Sequence, residues 1–188
     1  MTAEASAAGR VLELPWRVLP DYRCFGCSPH NEQGLRLTFE AIDDRLECRL
    51  QVDPAFESYP GVVHGGVTTA ACDEVMGNLL VLRTGRSVFT TTLRMRYVSP
   101  LTVGVEYRCV ARCVTEPGDG GPLTATAEVL DADGALLVSA TGSYQAVSIE
   151  QARTRMSLTD EEAAAVGAAL HEFSRHTAGH FHEEEDDE

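Results

Sequence analysis

The chain has no lysine: all 15 of its basic residues are arginines. Aromatic residues are sparse at 6%, with a single tryptophan. No apolar run approaches the ~18–20 residues needed to cross a bilayer, which excludes a membrane-spanning helix. Met1-Thr2-Ala3-Glu4 shows no basic segment leading into an apolar stretch, so no signal peptide is expected and a cytoplasmic location is. Positive charge is scarce overall. Twenty-nine acids against 15 arginines leave a formal charge of −14, which argues against nucleic-acid or anionic-membrane partners. What is present is a 188-residue chain, 44% hydrophobic, rich enough in apolar residues to bury a sizeable core and too apolar to be disordered.

The negative charge is concentrated at one end. Residues 1–155 hold 19 acids and 14 arginines, net −5, whereas residues 156–188 hold 10 acids and one arginine, net −9. Glu183 to Glu188 are all acidic; such a run repels itself and is expected to be disordered. Before it, Thr159 with Glu162 three residues on fits a capping box for a helix over roughly 160–174. The expected organisation is a flexible N-terminus over 1–14, one folded domain over 15–150, a C-terminal helical extension over 151–175 and a disordered acidic tail over 176–188.

Within the domain, residues 44–52 alternate apolar and polar, which predicts a strand with one buried face. Residues 53–65 carry two prolines and two glycines and read as a loop. Over 66–82 the period changes: Val67, Ala70, Ala71, Val75, Leu79 and Leu82 recur at three- and four-residue steps, a helix so apolar that it must be central. Residues 88–98 alternate again, with Phe89, Leu93, Met95 and Tyr97 on one face and Thr92, Arg94 and Arg96 on the other. Residues 103–114, 123–130 and 135–147 read as further strands, the last two joined by Asp131-Ala132-Asp133-Gly134, a hairpin signal. One long helix followed by a strand meander implies an α+β domain with an antiparallel sheet around the helix.

Chemistry concentrates at the start of that helix, in Pro60-Gly61-Val62-Val63-His64-Gly65-Gly66, and at Asp73. Glycines at a helix start permit close backbone approach, and the first-turn N–H groups lack intrahelical partners and sit at the positive end of the dipole. They suit an anion, or an oxygen that becomes negative during reaction. Asp73 lies about two turns further on. Buried among apolar residues, an unpaired carboxylate would be costly; on a solvated strip beside Glu74 it would cost nothing.

These residues, with Phe56-Glu57-Ser58-Tyr59, Cys24-Phe25-Gly26-Cys27, Asn31-Glu32-Gln33-Gly34-Leu35 and Arg96-Tyr97-Val98-Ser99-Pro100, resemble the hotdog-fold acyl-CoA thioesterases of the phenylacetate-pathway (PaaI-like) type, in the 4-hydroxybenzoyl-CoA thioesterase superfamily. The resemblance spans roughly residues 22–147. It implies a hotdog fold, a long central helix wrapped by a curved antiparallel sheet, and hydrolysis of an acyl-CoA to a free acid and CoA. It further implies that the Gly66 N–H polarises the thioester carbonyl, that Gly65 shapes the turn and that Asp73 acts as general base or nucleophile. The site would lie between two subunits of a homodimer or dimer of dimers, with Thr90 from the partner's strand positioning water and Thr92 on the same strand face. His64 orients the loop. Where many relatives carry an amide, this chain has Ser58, and Glu57 either shares the work of aligning water or is a loop charge. Coenzyme A is a polyanion, so Arg94 and Arg96, with Arg83 and Arg86, are candidate phosphate partners. No cofactor is implied; coenzyme A is part of the substrate.

Six cysteines without an export signal argue against a disulfide framework. Cys24-x-x-Cys27-x-x-His30 is an incomplete zinc set, so no metal site is expected. His176, His180 and His182 lie in the tail. Two further readings stand beside the hydrolase: a hotdog module that binds acyl groups or serves assembly without catalysis, and a hydratase, which usually asks for an Asp/His pair in one loop that is not found here.

Overall fold

The computed structural model describes residues 10–115 and 121–178. The acidic run 183–188, the tail histidines His180 and His182, and most of the N-terminal stretch lie outside the described residues. Three short strands, β1 (Arg10–Leu12), β2 (Phe39–Ile42) and β3 (Arg45–Leu50), precede the long helix α1 (Gly65–Thr84). Four longer strands follow: β4 (Ser87–Tyr97), β5 (Tyr107–Cys113), β6 (Leu123–Leu130) and β7 (Leu136–Val147). Two helices, α2 (Ile149–Met156) and α3 (Asp160–Ala178), close the described chain.

The strands form one antiparallel sheet in the order β1-β2-β3-β5-β6-β7-β4. Helix α1 packs against β3, β4, β5, β6 and β7, so the sheet wraps it. That is the hotdog architecture, in the α+β class expected. Ala71, Cys72, Val75, Met76, Leu79 and Leu80 of α1 are wholly buried, which explains why the helix is apolar nearly all round. It ends where Gly85 takes φ 62°, a left-handed conformation that glycine adopts without strain, and the Gly85 N–H donates to the Val81 carbonyl at 2.8 Å.

The short strands β1 and β2 were not anticipated. β1 pairs with β2 inside the stretch expected to be a flexible N-terminus. At three and four residues, β1 and β2 are too short for alternation to show. Helix α2 starts at a reciprocal capping box in which the Ser148 hydroxyl accepts from the Gln151 N–H and the Gln151 side chain accepts from the Ser148 N–H. The Thr159–Glu162 box does form at the start of α3. The extension is not detached: Val166 and Leu170 of α3 are buried against Val81 of α1, with Trp16 and Phe173 alongside.

Strand β4 carries an irregularity that decides which side chains reach the helix. Thr90 pairs with Tyr144 but Thr92 pairs with Ser143, so Thr91 is an extra residue, a β-bulge. Directly opposed residues share a face. Thr90 therefore points with Tyr144 toward α1, and Thr92 points with Ser143 away from it. Beyond the bulge Leu93 and Met95 face inward and pack on the core, whereas Arg94 and Arg96 face out. The expectation that Thr90 and Thr92 share a face fails for this reason, as does the grouping of Phe89 with Leu93. Phe89 lies instead under the Arg155 guanidinium of α2, 5.7 Å from its ring centroid.

Candidate active site

Asp73 sits on the third turn of α1, half-buried, facing β4 and β7. Its Oδ1 accepts two hydrogen bonds, from Thr90 Oγ1 at 2.9 Å and from the Tyr144 hydroxyl at 2.9 Å. Among the described residues no hydrogen bond reaches Oδ2. The Thr90 that touches Asp73 here belongs to the same chain. Tyr144 was not singled out in the sequence. Its ring is 1% exposed; burial, then the charge of Asp73, pushes its phenol far above the usual tyrosine range, so it remains a donor. The signal was a tyrosine on the inward face of β7 two residues after a glycine. A Cβ at Gly142 would lie 2.5 Å from Tyr144 Cε2 and 2.7 Å from its oxygen. Only glycine lets the ring lie back across the strand and aim its hydroxyl at Asp73.

The helix start is a separate constellation. His64 is the N-cap of α1, and its Nδ1 accepts the Gly66 N–H at 2.9 Å. The N–H that the resemblance assigns to the thioester carbonyl is thus engaged by the chain's own imidazole. The Gly65 carbonyl accepts from the Tyr97 hydroxyl at 2.7 Å and from Thr69 Oγ1 at 2.9 Å, tying the end of β4 to the first turn of α1.

Glu57 and Ser58 serve their own loop. Glu57 Oε2 accepts the Gly61 N–H at 3.0 Å, where Gly61 has φ 79°. The Ser58 N–H donates to the Val62 carbonyl at 2.8 Å. The loop is pinned in turn by Val63 N–H to the Leu101 carbonyl and Val103 N–H to the Gly61 carbonyl. Neither Glu57 nor Ser58 hydrogen-bonds to Asp73 or to the His64 ring. Thr92, Arg94 and Arg96 lie on the outer face, away from Asp73. The residues marked from sequence therefore separate into three groups: Asp73 with Thr90; His64 with Gly65 and Gly66; and a remainder on the loop or the outer face.

Glu74 does not lie on a solvated strip. It is held against the Cys24–Cys27 loop: Cys24 Sγ donates to its Oε2 at 3.3 Å and Asn78 Nδ2 donates to its Oε1 at 3.0 Å. Burial, followed by the neighbouring Cys24, lifts its carboxyl to about 7. The Cys27 thiol hydrogen-bonds to Cys24 and brings the Cys24 thiol down to about 5. His30 is exposed and stands apart from this cluster. Asp73, Thr90, Tyr144, Glu74, Cys24 and Asn78 line one cavity of about 200 Å³. A larger groove of about 520 Å³ between residues 10–18 and α3 contains none of the residues marked from sequence.

Comparison with known proteins agrees with this architecture. Residues 60–118 match the family model described as "Thioesterase superfamily". Among solved structures, a thioesterase superfamily protein superposes with a TM-score of 0.60 at 23% identity, over 75% of this chain and 68% of that one. A phenylacetic acid degradation-related protein from Ralstonia eutropha gives 0.54 at 26% identity, over 64% and 92%. A Streptococcus mutans protein solved bound to acetyl CoA gives 0.56 at 19% identity, over 69% and 96%. No curated protein matches the sequence. No helix among the described residues is long and apolar enough to cross a membrane.

Proposed function

We propose that this chain, a hotdog-fold protein of the thioesterase superfamily, is an acyl-CoA thioesterase that converts an acyl-CoA and water to a carboxylate and CoA-SH. The observation that carries the reading is Asp73, a carboxylate on an apolar helix whose Oδ1 is held by two hydroxyl donors at the edge of a cavity. Holding one oxygen fixes the carboxylate plane and leaves Oδ2 to take a proton from water or to attack the carbonyl carbon. Thr90 and Tyr144 are positioning residues in this scheme. The acetyl CoA bound by the Streptococcus mutans relative supports a CoA ester as the ligand class.

Geometry also favours a site shared between two copies. Gly66 and Asp73 are seven residues apart, about 10 Å along the helix axis. A carbonyl carbon in contact with Asp73 is out of hydrogen-bond reach of the Gly66 N–H of the same chain. A Gly66 N–H that stabilises the oxyanion must then come from a second copy, released from its own His64 cap. A homodimer or dimer of dimers is the assembly this requires. Light scattering at micromolar concentration tests it; a monomer with full turnover refutes the shared site.

One observation favours a second reading. The His64–Gly66 bond closes the anion-binding N–H, and the loop offers Ser58 instead of an amide, as suits a module that binds acyl groups without turning them over. A panel of short, long and aromatic acyl-CoAs in a thiol-release assay separates the two. Turnover with at least one ester, lost in Asp73→Asn, supports the hydrolase. Thermal stabilisation by the panel with no thiol release supports the binding module.

A further inference from the structure

We propose that Cys24, Cys27 and Glu74 form a zinc site beside Asp73. The sequence argued against a metal because His30 was the only third ligand in view. The fold supplies another: Glu74, 50 residues away on α1, is brought onto the cysteine loop. One ligand atom from each of the three residues lies within 4.8 Å of the others, and Cys24 Sγ is 3.3 Å from Glu74 Oε2. Tetrahedral zinc with bonds of about 2.3 Å to sulfur and 2.0–2.2 Å to oxygen places its donors roughly 3.5–3.8 Å apart. The three donors need only small movements to reach that spacing. Two thiolates with a carboxylate suit zinc rather than magnesium or calcium, which take oxygen ligands alone.

The surroundings have the form of a supported site. The Gly26 N–H donates to Cys24 Sγ at 3.3 Å, so the loop backbone points at the sulfur. Tyr22 OH lies 2.9 Å from Cys27 Sγ, and Asn78 orients Glu74 through its other oxygen; such outer partners fix ligand geometry. Gly26 is required by the same contact, because a Cβ there would stand 2.5 Å from Glu74 Cδ. Three protein ligands leave a fourth position, the number found at zinc centres that keep a water. Cys24 and Glu74 line the cavity that Asp73 also lines, which provides room for it. This inference is independent of the hydrolase reading: the cluster can hold zinc whether or not the chain turns over a thioester.

Cobalt(II) serves as the probe, because thiolate ligation produces a near-ultraviolet charge-transfer band that tail histidines and carboxylates cannot give. Full-length protein is reduced, shown to carry six free thiols, and titrated with cobalt(II) and then zinc. The expected result is a band that saturates at one equivalent, is displaced by zinc, and is absent in Cys24→Ser. In Glu74→Gln the affinity falls at least about tenfold, the scale on which even outer-shell partners act. Circular dichroism melting establishes that each variant is folded. No thiolate band in the reduced wild-type protein overturns the proposal without recourse to any variant, and so does a band that survives in folded Cys24→Ser.

Discussion

Gly142→Ala is the substitution on which local propensity and the structure disagree most. Replacing a strand glycine by alanine ordinarily stabilises by about 0.4–1 kcal/mol through the unfolded chain. Here the new methyl would lie 2.5 Å from Tyr144 Cε2, 2.7 Å from its oxygen and 2.9 Å from Cζ. The ring is 1% exposed and packed in the main core, so it moves only by straining its neighbours. Overpacking of this kind costs about 1–3 kcal/mol. Displacing the hydroxyl from Asp73 Oδ1 removes a bond of the charge-assisted class, worth about 1.5–3 kcal/mol. Against the favourable backbone contribution of about 0.4–1 kcal/mol, and with one ring displacement causing both losses so that they overlap and do not add in full, the net is a loss of ~2–4 kcal/mol. For a chain of this size that lowers the melting temperature by roughly 5–15 °C. Tyr144→Phe, which loses only the hydroxyl, melts between parent and Gly142→Ala, and both variants hydrolyse acyl-CoA at least about tenfold more slowly. The measurement is thermal denaturation followed by circular dichroism, paired with thiol release. In a Tyr144→Leu background the alanine is tolerated, giving a coupling energy above about 1 kcal/mol in the double-mutant cycle. A Gly142→Ala protein that melts at or above the parent temperature refutes the reasoning.

Asp73→Asn lowers turnover by about 10²–10⁴-fold while CoA still raises the melting temperature; equal turnover removes Asp73 from the mechanism. Thr90→Val slows hydrolysis about fivefold, the worth of ~1 kcal/mol from one hydrogen bond, whereas Thr92→Val changes it less than about twofold, as for a surface position; similar losses at both would contradict the face assignment. His64→Ala costs about 1 kcal/mol of stability through loss of the helix cap, read by urea denaturation, and reduces hydrolysis less than Asp73→Asn does, because the Gly66 N–H is left open.

The helix and the four strands after it were legible because each is long enough for its period to be counted and because glycines bracket α1. β1 and β2 were not, since three or four residues carry no countable period. Asp73 stood out as a carboxylate in an apolar helix. Its partner Tyr144 did not: 71 residues separate the two, and the local sign in β7, a glycine two residues before an inward tyrosine, does not name the element that the hydroxyl meets. Whether Glu74 lies on a solvated strip was left open, because helical periodicity alone cannot say that a cysteine loop 50 residues upstream will fold over it. Thr92 was joined to the face of Thr90 by counting: period-two reasoning assumes an uninterrupted strand, and one inserted residue at Thr91 reverses the phase between the two. Glu57 and Ser58 were read by analogy with a loop that binds ligand; their hydrogen bonds go to the loop itself.

The extra residue at Thr91 makes β4 two strands laid end to end in opposite phase. The first half supplies the hydroxyl that reaches Asp73, and the second supplies Leu93 and Met95 to the core. Deleting one residue there restores simple alternation but satisfies only one half: either Thr90 turns to solvent or the two apolar side chains do. Length in this strand is therefore as constrained as residue identity. A related chain one residue shorter between its helix and the Arg-Tyr-Val-Ser-Pro segment must place a different side chain against its helix acid.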